Sequence, residues 1–203
     1  MNLPNKLTII RIIAAPILLF CLCVKFDHNY LAALLIFIGA SITDGIDGSY
    51  ARKHGLVTDF GKFLDPLADK MLTTAAFLGF LYNGLGTGIV WITFIILFRE
   101  YLIFSLRLTA VSSSGGTVIA ANFCGKLKTV VQMVAVISVI TFEYLKFLDV
   151  RCFNSVIKGI YGGVIFLITD AYCDIALWLA AALTVISGVL YLVQNKKFIN
   201  PSK

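Results

Sequence analysis

Residues Thr43–Arg52 read TDGIDGSYAR, and residues Gly61–Lys70 read GKFLDPLADK. These stretches place four aspartates inside otherwise apolar sequence: Asp44, Asp47, Asp65 and Asp69. A helix turns about 100° per residue, so aspartates three or four positions apart share one face of their helix. The spacing therefore predicts a pair of carboxylates on each of two consecutive helices, and the two pairs can meet across the hairpin.

Four clustered carboxylates in a membrane helix need compensating charge. One charged side chain at the bilayer centre costs about 2.5–3.5 kcal/mol on insertion scales, and two divalent cations would cancel four carboxylates. Neither half of the motif contains histidine or cysteine. Hard divalent cations prefer carboxylate oxygen, so the pattern favours Mg²⁺ or Mn²⁺ over Zn²⁺.

The composition indicates a polytopic membrane protein. Of 203 residues, 59% are hydrophobic and 14% charged, and the mean hydropathy is +0.91, above the apolar share of soluble domains. The net charge of +6 does not indicate nucleic-acid binding, because the basic residues flank apolar helices rather than forming a run with interleaved aromatics. We expect no cleavable signal, since polar residues interrupt Met1–Arg11.

We predict an all-α integral membrane fold, with a single domain over residues 1–203. The predicted segments are an interfacial stretch at Leu3–Thr8 and six transmembrane helices: Ile12–Val24, Tyr30–Ile42 continuing into the first aspartates, Gly61–Tyr82, Ile89–Leu108, Gly125–Phe147 and Ile175–Val193. Phe153–Thr169 is short and interrupted by Lys158 and two glycines, so we expect an interfacial or re-entrant piece there.

The distribution of cations predicts the orientation in the membrane. With six spans, the lysines near both termini lie on the same side as those flanking the aspartates, and the intervening loops carry fewer cations. The positive-inside rule then places both termini and the aspartates on the cytoplasmic side.

The two halves of the motif also match a known family pattern. Asp-x-x-Asp-Gly-x-x-Ala-Arg begins at Asp44, eight residues follow, and Gly-x-x-x-Asp-x-x-x-Asp begins at Gly61, without gap or substitution. This pattern resembles the CDP-alcohol phosphotransferases, integral membrane enzymes that move a phosphatidyl or similar group from a CDP-linked donor to an alcohol.

That resemblance implies a role for each motif residue. The four aspartates would hold two divalent cations, and Asp69 would also take the proton from the acceptor alcohol. Gly48, Arg52 and Thr58 would contact the CDP moiety. Since a carboxylate beside a metal has a low proton affinity, metal polarisation of the alcohol would share the work of Asp69.

Two further stretches resemble the bacterial phosphatidylglycerophosphate synthase branch of that family. One is the opening Asn2–Arg11, with Leu3 where isoleucine is commoner. The other is Arg99-Glu100 with Arg107, followed by Gly-Lys-x-Lys-Thr-x-x-Gln-Met at Gly125–Met133. The resemblance implies CDP-diacylglycerol as donor, glycerol 3-phosphate as acceptor, a lipid environment and a homodimer.

Four cations are candidates for the acceptor phosphate pocket: Arg99, Arg107, Lys126 and Lys128. Guanidinium and ammonium groups together suit a phosphate dianion. Cations at a helix start oppose the helix dipole, so Lys126 and Lys128 are expected to serve an anion. Internal pairing with Glu100 is the alternative for one of the arginines, Arg99 before Arg107.

Several alternatives remain open at the level of sequence. Lys6 and Arg11 fit either anchoring to lipid headgroups or substrate binding. A sister enzyme that uses serine, inositol phosphate or phosphatidylglycerol would keep the aspartates and change the cationic pocket, and an ion transporter could carry membrane aspartates without the glycine and arginine offsets. The five cysteines fit small buried hydrophobes, with Cys152 and Cys173 the pair to check for a bridge.

Overall fold

The computed structural model describes residues 3–54, 59–113, 123–152 and 160–194. These residues form six α-helices, and no strand occurs among them. The helices are α1 (Leu3–Cys23), α2 (Asn29–His54), α3 (Asp59–Asn83), α4 (Ile89–Ser113), α5 (Phe123–Cys152) and α6 (Ile160–Gln194). The all-α fold with six helices is confirmed.

Helix α1 packs mainly against α3 and also against α2. The buried face of α3 combines small side chains, Ala68, Ala75 and Ala76, with the larger Leu72, Phe77 and Phe80. Small residues allow two helix backbones to approach closely, which is the usual way that membrane helices pack in the absence of a hydrophobic driving force. This packing sets the position of α3, which carries Asp65 and Asp69.

The end of α1 is held by two asparagine side chains. The last carbonyl groups of a helix have no partner within the helix. Asn83 donates from Nδ2 to the carbonyl of Leu22 at 2.8 Å, and Asn29 donates to the carbonyl of Cys21 at 3.2 Å. The start of α2 and the end of α3 therefore lie beside the end of α1.

The turn between α3 and α4 is clamped by α6. Thr87 donates its backbone N–H to Asp174 Oδ1 at 2.8 Å, and its carbonyl accepts a hydrogen bond of 3.0 Å from Trp178 Nε1. Gly86 has a φ of +99°, a conformation that glycine adopts without strain. These hydrogen bonds place the start of α4 beside the middle of α6.

Four of the described helices contain windows long and apolar enough to cross a membrane: Lys6–Cys23, Ile89–Leu106, Gly125–Leu148 and Leu167–Gln194. Helix α2 is apolar over the shorter segment Asn29–Thr43, after which the first aspartates begin. Helix α3 carries the second half of the motif. The chain is therefore a multi-pass membrane protein in which the two remaining helices bear the charged motif.

The largest differences from the sequence-based expectation lie at the starts of α1 and α6. Leu3–Thr8, expected as a separate interfacial stretch, forms the first turns of α1, and Pro4 is tolerated there because its missing N–H would have no partner in the first turn. The described part of Phe153–Thr169 begins at Ile160 and continues directly into α6. Residues 160–169 are therefore helix continuous with α6 rather than a separate piece. Their interfacial position stays a prediction, and residues 153–159 lie outside the described residues.

The two glycines at positions 162 and 163 do not break α6 because each costs only about 1 kcal/mol in a helix interior. At 35 residues, α6 would be about 52 Å long, longer than a hydrocarbon core of about 30 Å. Cys173 in this helix is a buried free thiol, so the structure contains no bridge between Cys152 and Cys173.

Candidate active site

Both halves of the aspartate motif lie on helices. Asp44 and Asp47 belong to α2, and Asp65 and Asp69 belong to α3. The helical backbone that the spacing argument required is therefore present in each half. The side chains of the four aspartates lie outside the described part of the structure, so their meeting across the hairpin stays a prediction.

The structure places the CDP-binding candidates only in part. Gly48 and Arg52 lie on the last turns of α2, on the same helix as the first aspartates. The side chain of Arg52 lies outside the described residues, as does the whole of Thr58. Among the residues that are described, no group of three or more His, Cys, Asp or Glu side chains could hold a metal ion.

Lys70, directly after Asp69, links the motif to α4. Its Nζ donates to Glu100 Oε2 at 2.9 Å, and the same ammonium lies 5.8 Å from the centroid of the Phe104 ring. Glu100 and Phe104 are four residues apart on α4, so Lys70 contacts a single face of that helix. The residue that follows the last motif aspartate is thus fixed against α4.

Two further cationic side chains lie beside Glu100. Its Oε1 accepts from Lys128 Nζ of α5, and Arg99 Nη1 lies 3.6 Å from the same oxygen. The side chains of Glu100 and Lys128 are only 10% and 5% exposed. Buried ions need partners that replace their lost hydration, and Glu100 is the shared partner of these cations.

Arg99 has a second contact across the bundle. Its Nη2 donates to Ser187 Oγ in α6 at 3.0 Å. The side chain passes over Gly188, where an added Cβ would lie 3.0 Å from Arg99 Cγ. The internal pairing of Arg99 with Glu100, the alternative raised from sequence, has structural support at 3.6 Å.

The structure separates the two lysines at the start of α5. Lys128 is buried at 4% exposure, whereas Lys126 is exposed. Residues two apart on a helix are about 200° apart around its axis, so the two lysines cannot share one direction. Arg107 is on α4, but its side chain lies outside the described part. The structure thus brings Arg99 and Lys128 together at Glu100 and sets Lys126 apart.

At the start of α1, the two candidates raised from sequence differ in environment. Lys6 is exposed, as a headgroup contact requires. Arg11 is only 2% exposed, and Thr8, one turn before it, is 1% exposed. Arg11 therefore lies inside the helix bundle, and headgroup anchoring is wrong for it.

Sequence reasoning missed Lys70 and considered Glu100 only as a partner of Arg99 or Arg107. One signal was present for Lys70, since a lysine directly follows the last motif aspartate within a helix that is otherwise apolar. For Glu100, the signal was a lone acid on a helix whose other charges are Arg99 and Arg107. Their association across α3, α4 and α5 could not be read from local spacing, because it depends on how those helices pack.

A second polar cluster lies at the opposite end of the bundle. Lys146 donates to Glu143 Oε1 at 2.5 Å and to Asp170 Oδ1. The cluster borders a cavity of about 390 Å³ that the α3–α4 turn and Asp174 also line. Lys146 is 18 residues after Lys128, or about 27 Å along α5. This cluster is therefore separate from the Glu100 site.

Comparison with known proteins identifies the family. The family model of the CDP-alcohol phosphatidyltransferases matches residues 1–186. A Bacillus subtilis (strain 168) protein named CDP-diacylglycerol–glycerol-3-phosphate 3-phosphatidyltransferase is 38% identical, with 99% of this chain and 98% of the relative covered.

Two other relatives agree with this match. A Rickettsia bellii protein of the same name is 37% identical over 97% of each chain. A Mycobacterium tuberculosis protein named probable phosphatidylglycerophosphate synthase is 41% identical over 66% of this chain and 64% of its own length. The chain belongs to the CDP-alcohol phosphatidyltransferase family.

Proposed function

We propose that this chain transfers the phosphatidyl group of CDP-diacylglycerol to glycerol 3-phosphate, which gives phosphatidylglycerophosphate and CMP. The observation that carries the proposal is the near-complete alignment with relatives named for this reaction, at 38% and 37% identity. The placement of both motif halves on helices α2 and α3 supports it. The chain is accordingly a transferase of phospholipid synthesis.

In this reaction a hydroxyl of glycerol 3-phosphate attacks the phosphatidyl phosphorus. The bond from that phosphorus to the oxygen of the CMP group breaks, and CMP leaves with that oxygen. The attacking hydroxyl must lose its proton, and a base within hydrogen-bonding reach is needed to accept it. We assign this role to Asp69, whose neighbour Lys70 is anchored to Glu100.

We assign the metal ligands to the four motif aspartates, Asp44, Asp47, Asp65 and Asp69. The family in general uses divalent metal ions, and four carboxylates without histidine or cysteine fit Mg²⁺ or Mn²⁺. Two bound cations would neutralise the pyrophosphate of the donor and stabilise the charge that develops on its oxygens.

The CDP moiety is assigned to the end of α2 and the residues after it. Gly48 has no side chain, so a ligand can approach the backbone there. Arg52 carries a guanidinium, which pairs with phosphate oxygens in a bidentate manner. Thr58 adds a hydroxyl. The position of Gly48 and Arg52 on the aspartate helix supports the assignment.

The acceptor phosphate is assigned to Arg99, Arg107, Lys126 and Lys128. The burial of Lys128 and its proximity to Arg99 support a cationic site here, because Lys70, Arg99 and Lys128 all approach Glu100. A phosphate dianion would find both guanidinium and ammonium donors. Lys126 is exposed and would meet the acceptor from the solvent side.

We further propose that the protein lies in a bacterial inner membrane, as a homodimer, with its active site facing the cytoplasm. The relatives are bacterial. Cations such as Lys53 at the end of α2 and Lys126 at the start of α5 lie at one end of the helices. That asymmetry supports a cytoplasmic position for this end.

One assay tests the activity. Purified protein in mixed micelles receives CDP-diacylglycerol and Mg²⁺, and CMP release is measured with glycerol 3-phosphate, serine, inositol phosphate and phosphatidylglycerol in parallel. We expect glycerol 3-phosphate to be used best. Preference for another acceptor would identify a sister activity, and no CMP release with any acceptor would exclude the proposed reaction.

A further inference from the structure

Glu100 lies where three helices converge. Lys70 reaches it from α3 with an N–O distance of 2.9 Å, and Lys128 reaches it from α5. The two lysines occupy different carboxylate oxygens, Oε2 and Oε1 respectively. One side chain of α4 therefore bridges the helix of the second aspartate pair and the helix of the acceptor lysines.

The bridge restricts Lys128 in particular. A lysine has four rotatable side-chain bonds and loses considerable entropy when it is ordered. Lys128 is nevertheless 4% exposed, so its ammonium is held at one place inside the bundle. Glu100 Oε1 determines that position, because a buried ammonium needs a counter-ion beside it.

The bridge also restricts α3. Lys70 is adjacent in sequence to Asp69, so fixing the lysine ammonium against α4 limits rotation of α3 at the last motif aspartate. Phe104, one turn beyond Glu100, covers the same ammonium at 5.8 Å. The reaction needs the acceptor hydroxyl near Asp69 while the acceptor phosphate is held by Lys128 and Arg99.

We propose that Glu100 is a positioning residue that sets the distance between the acceptor phosphate site at Lys128 and the aspartate helix at Lys70. This inference rests on the proposed function and deepens it. Glu100 touches neither substrate in this role. It acts through the two lysines, whose placement decides whether a bound glycerol 3-phosphate presents its hydroxyl to the reacting phosphorus.

Replacing Glu100 should therefore reduce catalytic efficiency with the acceptor, glycerol 3-phosphate. An error of about 1 Å in the placement of a reactant can reduce the rate by about 100-fold. Loss of Glu100 would leave the assigned donor contacts on α2 in place, since they belong to another helix. A purely structural ion pair would instead affect stability and both substrates alike.

The test compares five variants with wild type, using CMP release with CDP-diacylglycerol and glycerol 3-phosphate varied separately. Glu100→Gln removes the charge, Glu100→Asp keeps it on a shorter side chain, and Lys128→Gln with the double variant completes a mutant cycle. Glu143→Gln is the matched control, because Glu143 also pairs with a lysine of α5 and is similarly buried, at 18% side-chain exposure.

We expect Glu100→Gln to lower kcat/KM for glycerol 3-phosphate about 10-fold or more, through a lower kcat as well as a higher KM. The KM for CDP-diacylglycerol should stay within about 2-fold. Glu100→Asp should recover part of the loss and report on the role even if Glu100→Gln does not fold. In the Lys128→Gln background, Glu100→Gln should add less than about 2-fold, because residues that act together are not additive. Glu143→Gln should leave both KM values unchanged.

Equal changes in the KM values of donor and acceptor would overturn the inference while the proposed function stands. The same holds if the effects of Glu100→Gln and Lys128→Gln multiply in the double variant. Wild-type protein that does not use glycerol 3-phosphate would overturn both. The two failures are thus separated by the wild-type measurement alone.

Discussion

Gly79 of α3 and Leu22 of α1 lie so close that a side chain cannot be added between them. A Cβ on Gly79 would lie 2.5 Å from Leu22 Cδ1 and 2.7 Å from Leu22 Cβ. The Cβ of Leu22 cannot move away without moving the backbone of α1. Asn83, one turn later, bonds to the carbonyl of the same leucine, so this contact fixes α3 against α1.

We therefore expect Gly79→Ala to destabilise the protein by about 1–3 kcal/mol, the usual cost of overpacking. Thermal unfolding in detergent measures the effect as a lowered Tm. Gly39→Ala is the control, since no atom lies within 4 Å of a Cβ at that position and alanine favours a helix over glycine. Equal Tm values for both variants would contradict the close contact.

The aspartates provide a second prediction. Asp44→Asn, Asp47→Asn and Asp65→Asn each remove an anionic metal ligand while preserving side-chain shape, so we expect each to abolish CMP release at saturating Mg²⁺. The Tm of the variants should not fall, because asparagine retains the volume and relieves charge repulsion.

The matched control for these variants is Asp27→Asn, an exposed aspartate in the turn between α1 and α2, at the far end from the motif. It should keep wild-type activity. Wild-type activity in any one of the three motif variants would show that the proposed shared metal site is wrong.

Much of the fold could be predicted from the sequence because apolar runs and glycine-rich turns mark the helices. The start of α4 at Ile89 follows directly from the glycines before it, and α3 ends at Asn83, one residue past its predicted end. The start of α6 was predicted too late, since two glycines and a lysine were given more weight than the apolar sequence after them.

The cationic site was harder to predict. The separation of Lys126 from Lys128 follows from helix geometry alone, about 200° for two residues, and could have been anticipated. The meeting of Lys70, Glu100 and Lys128 could not, because it depends on the rotation of α3, α4 and α5 about their axes. Those rotations result from tertiary packing such as the contact of Gly79 with Leu22.

The orientation of the chain provides a third prediction. With six spans, the loop after α2 and the C-terminal tail face the same compartment, and the positive-inside rule makes it the cytoplasm. Thr58→Cys and Ser202→Cys, each in a cysteine-free background, should therefore react with an impermeant thiol reagent only after the membrane is opened.

Lys25→Cys, in the turn between α1 and α2, is the opposite-side control, because this residue is exposed and its turn lies across the membrane from the loop after α2. It should react in intact cells. Labelling of Thr58→Cys and Ser202→Cys from opposite sides would require an odd number of spans and contradict the six-helix arrangement.

The last prediction concerns the acceptor phosphate. If Arg107 and Lys126 bind it, replacing either with glutamine should weaken the apparent affinity for glycerol 3-phosphate and leave that for CDP-diacylglycerol nearly intact. A charge-assisted hydrogen bond contributes about 1.5–3 kcal/mol, which corresponds to a loss of about 10- to 150-fold in kcat/KM. Arg52→Gln should instead impair use of the donor, so the two kinds of variant are controls for each other.

Lys126 is the more informative of the two acceptor cations, because it is exposed and its replacement should leave the Tm unchanged. Its effect on kcat/KM can then be read without a correction for stability, which the buried Lys128 would require. Equal losses for donor and acceptor in the Arg107→Gln and Lys126→Gln variants would overturn the phosphate assignment. Efficient use of uncharged glycerol by the wild-type protein would also overturn it, because glycerol has no phosphate for these cations to bind.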